Sequence, residues 1–181
     1  MKKKPTNPIT KIRTGTGDKG TTYLRHPDLP KSDSLVDFVG DLDEANSAIA
    51  MSVAQVQHNG MADDLFSCQR ALFDIGAGVH TTDDMTFEKV SVYLSRFVSL
   101  MEYQMECIRA DNEFVELNGF IYPTCDNATI MFARAVVRRA ERSAVKADCG
   151  WAVPALNIMS DYLFLVSWYH SDDADQWCGV K

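Results

Sequence analysis

Residues 126–148 read DNATIMFARAVVRRAERSAVKAD, the most informative pattern in this chain of 181 residues. At 100° per residue the apolar side chains of this stretch fall on one stripe of a helix. The members of the stripe are Ile130, Ala133, Val137, Ala140 and Ala144. We therefore predict a helix over residues 126–148, capped by Asp126 or Asn127, with one face packed against a core.

Charged side chains border this apolar stripe. Arg134, Arg138 and Glu141 lie within about 60° of one another, whereas Arg139 points to the other side of the helix. A solvated face with i,i+4 ion pairs is the ordinary explanation of such charges. However, Arg134 and Arg138 are like charges four residues apart, which mildly destabilises a helix unless an anion or carboxylate lies between them. A binding face is therefore the alternative.

Four further helices are predicted, over residues 34–57, 61–80, 86–111 and 153–170. The last is apolar nearly all round, so we expect neighbouring helices or another subunit to bury it. No convincing pair of strands is visible, and residues 120–122 are interpreted as a loop because Gly119 and Pro123 bound them. The predicted fold class is an all-α five-helix bundle in one domain, residues 1–181, with an extended arm over 1–31 and a tail over 172–181.

The arm contains the sequence TGTGDKGTT at residues 14–22. Gly15, Gly17 and Gly20 formally match the dinucleotide fingerprint, but that motif needs a strand before it and a helix after it, and neither is predicted. It is not a Walker loop, because Lys19 precedes the last glycine. Glycine amides, the lysine and the threonine hydroxyls could still bind phosphate. A mobile turn is an equally good interpretation from these residues alone.

Composition narrows the class of protein. The chain has 46% hydrophobic and 24% charged residues, which is typical of a globular protein. The five cysteines are odd in number and lack CxxC spacing, which argues against a disulfide framework and a zinc site, and we interpret them as reduced and buried. The four histidines show no metal-ligand spacing. No apolar run reaches the roughly 18 residues that span a bilayer, so we expect a soluble, cytoplasmic protein.

The charge of the chain is unevenly distributed. Residues 1–31 carry eight Lys or Arg and two Asp, a net charge of +6, whereas the remainder brings the total to −7. A basic arm with glycines suits a small polyanion such as a nucleotide. The acidic remainder would repel a nucleic-acid backbone, so we expect no nucleic-acid partner.

Polar residues on two other helices are further candidates. Asp43 lies at the edge of the apolar stripe of the first helix, and Asn46 lies within that stripe, where its amide needs a structural or a ligand partner. We favour the structural partner. One face of the fifth helix combines polar and aromatic side chains, namely Asn157, Asp161, Phe164 and Trp168. That face suits a wall of a base-binding site, and core packing explains its aromatic residues equally well.

Five motifs occur in one order along the chain: TGTGDKGTT (14–22), GDLDEANS (40–47), FIYP (120–123), ARAVVRRAER (133–142), and LN with SDYLF (156–157 and 160–164). Together they resemble the PduO-type ATP:corrinoid adenosyltransferases, over about residues 10–169. The resemblance implies a five-helix bundle assembled as a homotrimer, with active sites between adjacent subunits. It also implies transfer of the 5′-deoxyadenosyl group of ATP to the Co(I) of cobalamin or another corrinoid, with release of triphosphate.

The same resemblance implies roles for individual residues. The triphosphate would be held by Thr14, Gly15, Thr16, Gly17, Lys19, Thr22, Tyr23 and Lys31. The ATP site would be completed by Arg138, Glu141, Arg142 and Asn157, and Glu141 would bind Mg²⁺. Arg134 would pair with Asp43 across the subunit interface, and Phe120 would lie under the corrin. A flavoprotein reductase or a B12-dependent acceptor enzyme would be a candidate partner.

The chain also departs from the family pattern. Gly15, Leu35 and Ile158 stand where the family usually has basic residues, and Arg13 stands in place of a tyrosine. Residues 123–125 replace a usual Pro-Gly-Gly, and the stretch from there to Arg134 is two residues shorter. We therefore expect a weaker grip on the triphosphate. An active adenosyltransferase is the first hypothesis, a non-catalytic ATP- or corrinoid-binding or delivery protein is the second, and an ATP-independent assembly module is the third.

Overall fold

The computed structural model describes residues 15, 17–56, 59–111, 120–171 and 176–177. Within them lie five α-helices: α1 (Ser34–Val53), α2 (Asn59–His80), α3 (Asp84–Asp111), α4 (Ala128–Lys146) and α5 (Val153–Tyr169). A short 3₁₀ turn, Gly150–Ala152, leads into α5. The predicted all-α, five-helix class is confirmed. No helix in the described part of the chain is both long enough and apolar enough to cross a membrane.

The helices surround one core. α1 packs against α2 and α4, α4 also packs against α5, and α3 packs against α2 and α5. The buried apolar side chains form one cluster that includes residues from all five helices. Leu156, Met159 and Leu163 of α5 are completely buried in it. Neighbouring helices therefore bury most of α5, as its apolar composition predicts.

The predicted helix ends are displaced by a few residues. α1 ends at Val53 instead of residue 57, and α2 begins at Asn59 instead of residue 61, so the predicted end of α1 and the predicted start of α2 were both wrong. α4 is two residues shorter than predicted at each end. At its start, the Asn127 side chain accepts a hydrogen bond from the Thr124 N–H instead of capping the helix. At its end, Asp148 adopts a positive φ of 56°, a conformation that terminates a helix.

The expectation that the chain has no strand pair was wrong. β1 (Thr21–Thr22) pairs antiparallel with β2 (Leu29–Pro30), and β3 (Phe120–Ile121) pairs antiparallel with β4 (Gln176–Trp177). Each strand has only two residues, which is too short to show the alternation that predicts a strand. β3 occupies the segment that was interpreted as a loop.

The cysteines agree only in part with their expected burial. Cys68 and Cys149 are buried, Cys107 is half-buried and Cys125 is exposed, while Cys178 lies outside the described residues. Burial raises the pKa of the Cys68 thiol, which keeps it protonated and unreactive. The described cysteines are free thiols.

Candidate functional site

The phosphate-loop candidate forms a tight turn in the second half of the arm. The Asp18 N–H donates to the Gly15 carbonyl over 3.3 Å, and the Gly20 N–H donates to the Gly17 carbonyl over 3.2 Å. Gly15 and Gly20 have φ values of +74° and +82°, a region that other residues rarely adopt. These glycines thus allow the turn to form. Thr14 and Thr16 lie outside the described residues.

The β1–β2 hairpin brings Lys31 back to this turn. The Lys31 N–H donates to the Gly20 carbonyl over 2.9 Å, and the Lys31 Nζ lies 3.0 Å from the point that a Cβ of Gly17 would occupy. Lys19 and Tyr23 are exposed, and Thr22 is half-buried. Lys31 thus lies beside the glycine turn, which also contains the exposed Lys19 and leads into the strand of Thr22. This end of the hairpin therefore offers groups that can bind an anion.

A second candidate surface is the outward face shared by α4 and α5. The guanidinium of Arg134 lies over the ring of Phe164, with Cζ 5.0 Å from the ring centroid. Its Nε is buried and has no hydrogen-bond partner among the described residues. Burial and then the nearby Arg138 cation lower the pKa of Arg134, while the Asp161 carboxylate acts in the opposite direction. A buried donor without a partner costs free energy, so we expect a ligand, water or another chain to satisfy this Nε.

The other predicted ATP ligands lie on or beside this face. Arg138 and Arg142 are exposed, and the Arg142 Nη1 donates to the Arg138 carbonyl over 2.7 Å. Glu141 is half-buried on the same side of α4 as Arg138, and Asn157 is exposed in the first turns of α5. Two arginines, the carboxylates of Glu141 and Asp161 and the amide of Asn157 are thus grouped along α4 and α5. Arg142 also lines the cavity between α4 and α1 that Arg139 borders. Cations and amide donors of this kind suit a polyphosphate ligand.

Asp43 lies elsewhere, in a groove of about 250 Å³ between α1 and α2. The groove is also lined by Asn46, the exposed Phe73 and His80. No ion pair joins Asp43 to Arg134 among the described residues of one chain. Asn46 has the structural partner that we favoured, because its Oδ1 accepts a hydrogen bond of 2.6 Å from the Gln69 Nε2.

Phe120 projects from the structure on β3. Its side chain is 69% exposed, whereas the adjacent Ile121 is only 4% exposed. The segment that follows is held by Asn127, which is completely buried and donates to the Tyr122 carbonyl and to the Ser171 hydroxyl. The ring of Phe120 is therefore presented outwards from a supported segment.

Two charged contacts escaped the sequence analysis. Arg139 contacts Asp41 and Glu44, and these ion pairs join α4 to α1. They lie on the side of α4 opposite the Arg134 face. Arg25 donates hydrogen bonds to two carbonyl groups at the end of α2. The helical period predicted the direction of Arg139 but not its partners, and no local pattern signals the contact of Arg25.

The described residues contain no group of three or more His, Cys, Asp or Glu side chains that could hold a metal ion. Glu141 is the half-buried carboxylate on α4 beside its arginines, and the exposed Asp161 of α5 lies near Arg134. Mg²⁺ in nucleotide sites is typically bound by one or two carboxylates together with phosphate oxygens and water. One carboxylate therefore suits an ion that arrives with ATP, and it would not suffice for a metal held by the protein alone.

Known proteins resemble the chain over most of its length. A corrinoid adenosyltransferase of Mycobacterium leprae is 34% identical over 175 residues, which cover 88% of this chain and 90% of the relative. The human corrinoid adenosyltransferase is 32% identical over 173 residues, which cover 89% of this chain and 69% of the relative. A solved variant of the PduO-type ATP:corrinoid adenosyltransferase of Lactobacillus reuteri, complexed with cobalamin and ATP, superposes with a TM-score of 0.71 at 26% identity, covering 88% of this chain and 92% of that one.

The family comparison covers almost all of the helical bundle. The pattern of the family described as cobalamin adenosyltransferase matches residues 12–170. That range begins just before the glycine turn and ends at the end of α5, so it includes both candidate surfaces. The chain therefore belongs to the cobalamin adenosyltransferase family.

Proposed function

We propose that this protein catalyses ATP-dependent adenosylation of a corrinoid in a site built from two copies of the chain. The ATP-dependent reaction follows from membership of the family and from the similarity to corrinoid adenosyltransferases. The composite site is supported by one observation above all: Arg134 is half-buried on an outward face, and its Nε has no partner. A second subunit would supply that partner.

Asp43 of the adjacent copy is the proposed partner. It is an exposed carboxylate in the α1–α2 groove, and its own chain provides no ion pair for it among the described residues. Contact between this groove and the α4–α5 face would bury Phe73 and Phe164 as well, which favours association. A repeated contact of two different faces closes into a ring when the rotation between neighbouring subunits is a whole fraction of a turn, and a rotation of 120° would give the proposed homotrimer.

The proposed ATP site combines the arm turn with the cations of α4. Lys19 and Lys31 would neutralise the triphosphate from the arm, and Arg138 would do so from α4, with Asn157 and Arg142 completing the site. The arm turn and the α4–α5 face are both exposed, so each remains accessible to the nucleotide before the site is complete. Charge-assisted hydrogen bonds from several cations are the strongest contacts that a protein can offer a polyphosphate.

The reaction needs little acid–base chemistry from the protein. The Co(I) atom of the reduced corrinoid is the nucleophile, it attacks C5′ of ATP, and the C5′–O bond breaks so that triphosphate leaves with the electron pair. Neither partner loses a proton, so the residues act by positioning the two substrates and by stabilising the negative charge of the leaving group. Mg²⁺ bound with ATP, with Glu141 as a ligand, would neutralise further charge on the phosphates.

Phe120 is the proposed corrin contact. An exposed phenyl ring on a supported segment can cover one face of a planar macrocycle and exclude an axial ligand from the cobalt. Removing that ligand would ease the reduction of Co(II) to Co(I), because the axial ligand donates electron density to the metal. The lack of a basic side chain at position 15 is expected to weaken ATP binding. The φ of +74° there means that a side chain could not be added without strain.

The decisive test mixes the protein with Mg·ATP and a chemically reduced corrinoid, and follows the cobalt absorbance as the Co–C bond forms. We expect a stoichiometric release of triphosphate with the adenosylated product. ATP binding in a calorimeter without any product would instead favour the second hypothesis, a binding or delivery protein of the same fold. If neither product nor ATP binding is observed, the proposed function is wrong.

A further inference from the structure

The β1–β2 hairpin carries the proposed triphosphate loop, but it is too small to hold its own position. Each strand has two residues, and an isolated hairpin of this size is marginal in water. Leu24 is buried in the main core, and Leu29 packs partly against it. These apolar contacts are not directional, so they leave the orientation of the hairpin to other interactions.

Arg25 supplies the directional contact. It lies in the connection between β1 and β2, only three residues after Thr22. Its Nε donates to the Val79 carbonyl over 2.6 Å, and its Nη2 donates to the Gly78 carbonyl over 3.0 Å. Both acceptors are 53 or 54 residues away in the sequence, at the end of α2. The guanidinium therefore joins the arm to the bundle with two fixed bonds.

The two acceptors are groups that a helix leaves unsatisfied. The last four carbonyl groups of an α-helix have no partner within the helix, and this end also carries a partial negative charge. In α2 the Thr81 N–H satisfies the Ala77 carbonyl, and Arg25 satisfies the next two. Arginine is suited to this task because its planar fork reaches two neighbouring oxygens, whereas a lysine reaches one at a time.

The anchor point itself is rigid. Gly78 packs directly on Trp151, since a Cβ at position 78 would lie 2.5 Å from Cη2 of that ring. Trp151 precedes α5 and makes an edge-to-face contact with Phe87 of α3, with 5.1 Å between ring centroids. The carbonyls that receive Arg25 thus belong to a point where α2, α3 and the turn before α5 are packed together. Such a point can serve as a fixed reference for the arm.

We infer that Arg25 is a positioning residue for ATP: by bonding two of the last four carbonyls of α2, it sets the orientation of the hairpin that carries Lys19, Thr22 and Lys31. This inference rests on the proposed role of that loop in binding the triphosphate. Arg25 acts through the hairpin and does not itself contact the nucleotide. A rotation of the hairpin would displace both lysines together, so a change at Arg25 would weaken ATP binding without removing any ligand.

The test compares Arg25→Ala and Arg25→Lys with the wild type, measuring KM for ATP, KM for the corrinoid, kcat and the melting temperature. For Arg25→Ala we expect KM for ATP to rise about tenfold, the scale of one lost charge-assisted hydrogen bond, while KM for the corrinoid changes less than about twofold. Arg25→Lys retains a cation at the helix end and one bond, so a rise of about threefold is expected. Arg96→Ala, at an exposed site on α3, is the control and should match the wild type.

A merely structural role for Arg25 predicts a different result. In that case the melting temperature falls and both KM values rise together, or neither changes, and either result overturns the inference. If Arg25→Ala does not fold, Arg25→Lys decides by the same criteria. Lys19→Ala separates the role of Arg25 from the proposed function of the loop. An unchanged KM for ATP in that variant refutes the proposal that the loop binds the triphosphate. A raised KM in Lys19→Ala with an unchanged value in both Arg25 variants refutes the role of Arg25 alone.

Discussion

At the scale of one residue, we propose that Arg138 serves a ligand instead of the fold. It is exposed on α4, one turn from the half-buried Arg134, and no ion pair holds it among the described residues. Exposed charges of this kind contribute little to the stability of a folded chain. Two arginines in successive turns also repel each other. The arrangement is therefore costly to the free protein and useful when an anion binds.

We accordingly expect Arg138→Ala to lower kcat/KM for ATP by about tenfold to a hundredfold, because a charge-assisted bond to the triphosphate is lost. The melting temperature should stay within about one or two degrees of the wild type, since surface substitutions rarely cost much. Lys146→Ala is the matched control, because it removes an exposed cation from the part of α4 that faces α1. Unchanged steady-state kinetics in Arg138→Ala would refute its assignment to the ATP site.

At the scale of the helices, the charged side chains on the two flanks of α4 have different surroundings. One flank of α4 faces α1, where Arg139 contacts Asp41 and Glu44. The other flank faces outwards beside α5 and carries Arg134 and Arg138. The hydrogen bond and charge of Arg139 lower the pKa of Glu44 below its ordinary value. The first flank is thus satisfied within the chain, and the second is available to a ligand or another subunit.

The cap at the start of α3 can be tested by its effect on the melting temperature of the protein. Asp83 accepts hydrogen bonds from the N–H and the hydroxyl of Thr86, which cap the helix and lower the pKa of Asp83. Asp83→Ala should therefore lower the melting temperature at neutral pH by about 2–4 °C, the usual effect of a lost cap in a chain of this size. Asp84→Ala, which removes the adjacent acid but no capping bond, should have a smaller effect.

The pH dependence of this cap has a definite sign. A carboxylate whose pKa is lowered on folding stabilises the protein above its unfolded pKa of about 4, and that stabilisation is lost as the pH falls through the folded value. The difference in melting temperature between the wild type and Asp83→Ala should therefore narrow below about pH 4. A difference that stays constant down to pH 2 in calorimetric scans would contradict the assigned cap.

The molecule as a whole presents two complementary faces. The α4–α5 face has Arg134, whose Nε lacks a hydrogen-bond partner, stacked over Phe164, and the α1–α2 groove has Asp43 and the 69% exposed Phe73. Single exposed aromatic rings are common on protein surfaces, so Phe73 supports this contact only together with the Asp43 carboxylate in the same groove. The two faces belong to different helix pairs of one chain. The α4–α5 face of one copy can therefore contact only the α1–α2 groove of another copy.

A charge exchange tests that contact. Arg134→Asp and Asp43→Arg should each weaken the assembly, because each places like charges opposite one another, and the double variant should restore it in part. Light scattering after size-exclusion chromatography would measure the mass, and we expect a trimer for the wild type. Additive effects in the double variant would refute the proposed pair, and a monomeric wild type with full activity would refute the intersubunit site.

The sequence by itself determined the helices and the side of α4 that meets the core. These features depend on contacts three and four residues apart, so the period of the apolar residues reveals them. The order of motifs also predicted the family. The same helical period predicted that Arg139 points away from Arg134. Neither strand pair could be predicted in this way, because strands of two residues have no period to detect.

Only the tertiary structure decided how the arm is attached to the bundle and which charged side chains of α4 form ion pairs within the chain. The bonds from Arg25 to Val79 and Gly78 join residues more than 50 positions apart, and no local pattern encodes such a contact. Asp41 and Arg139 are paired because α1 packs against α4, which leaves Arg134 free to face outwards. The helical period selects the direction in which a side chain points. The packing of the helices selects what it meets there.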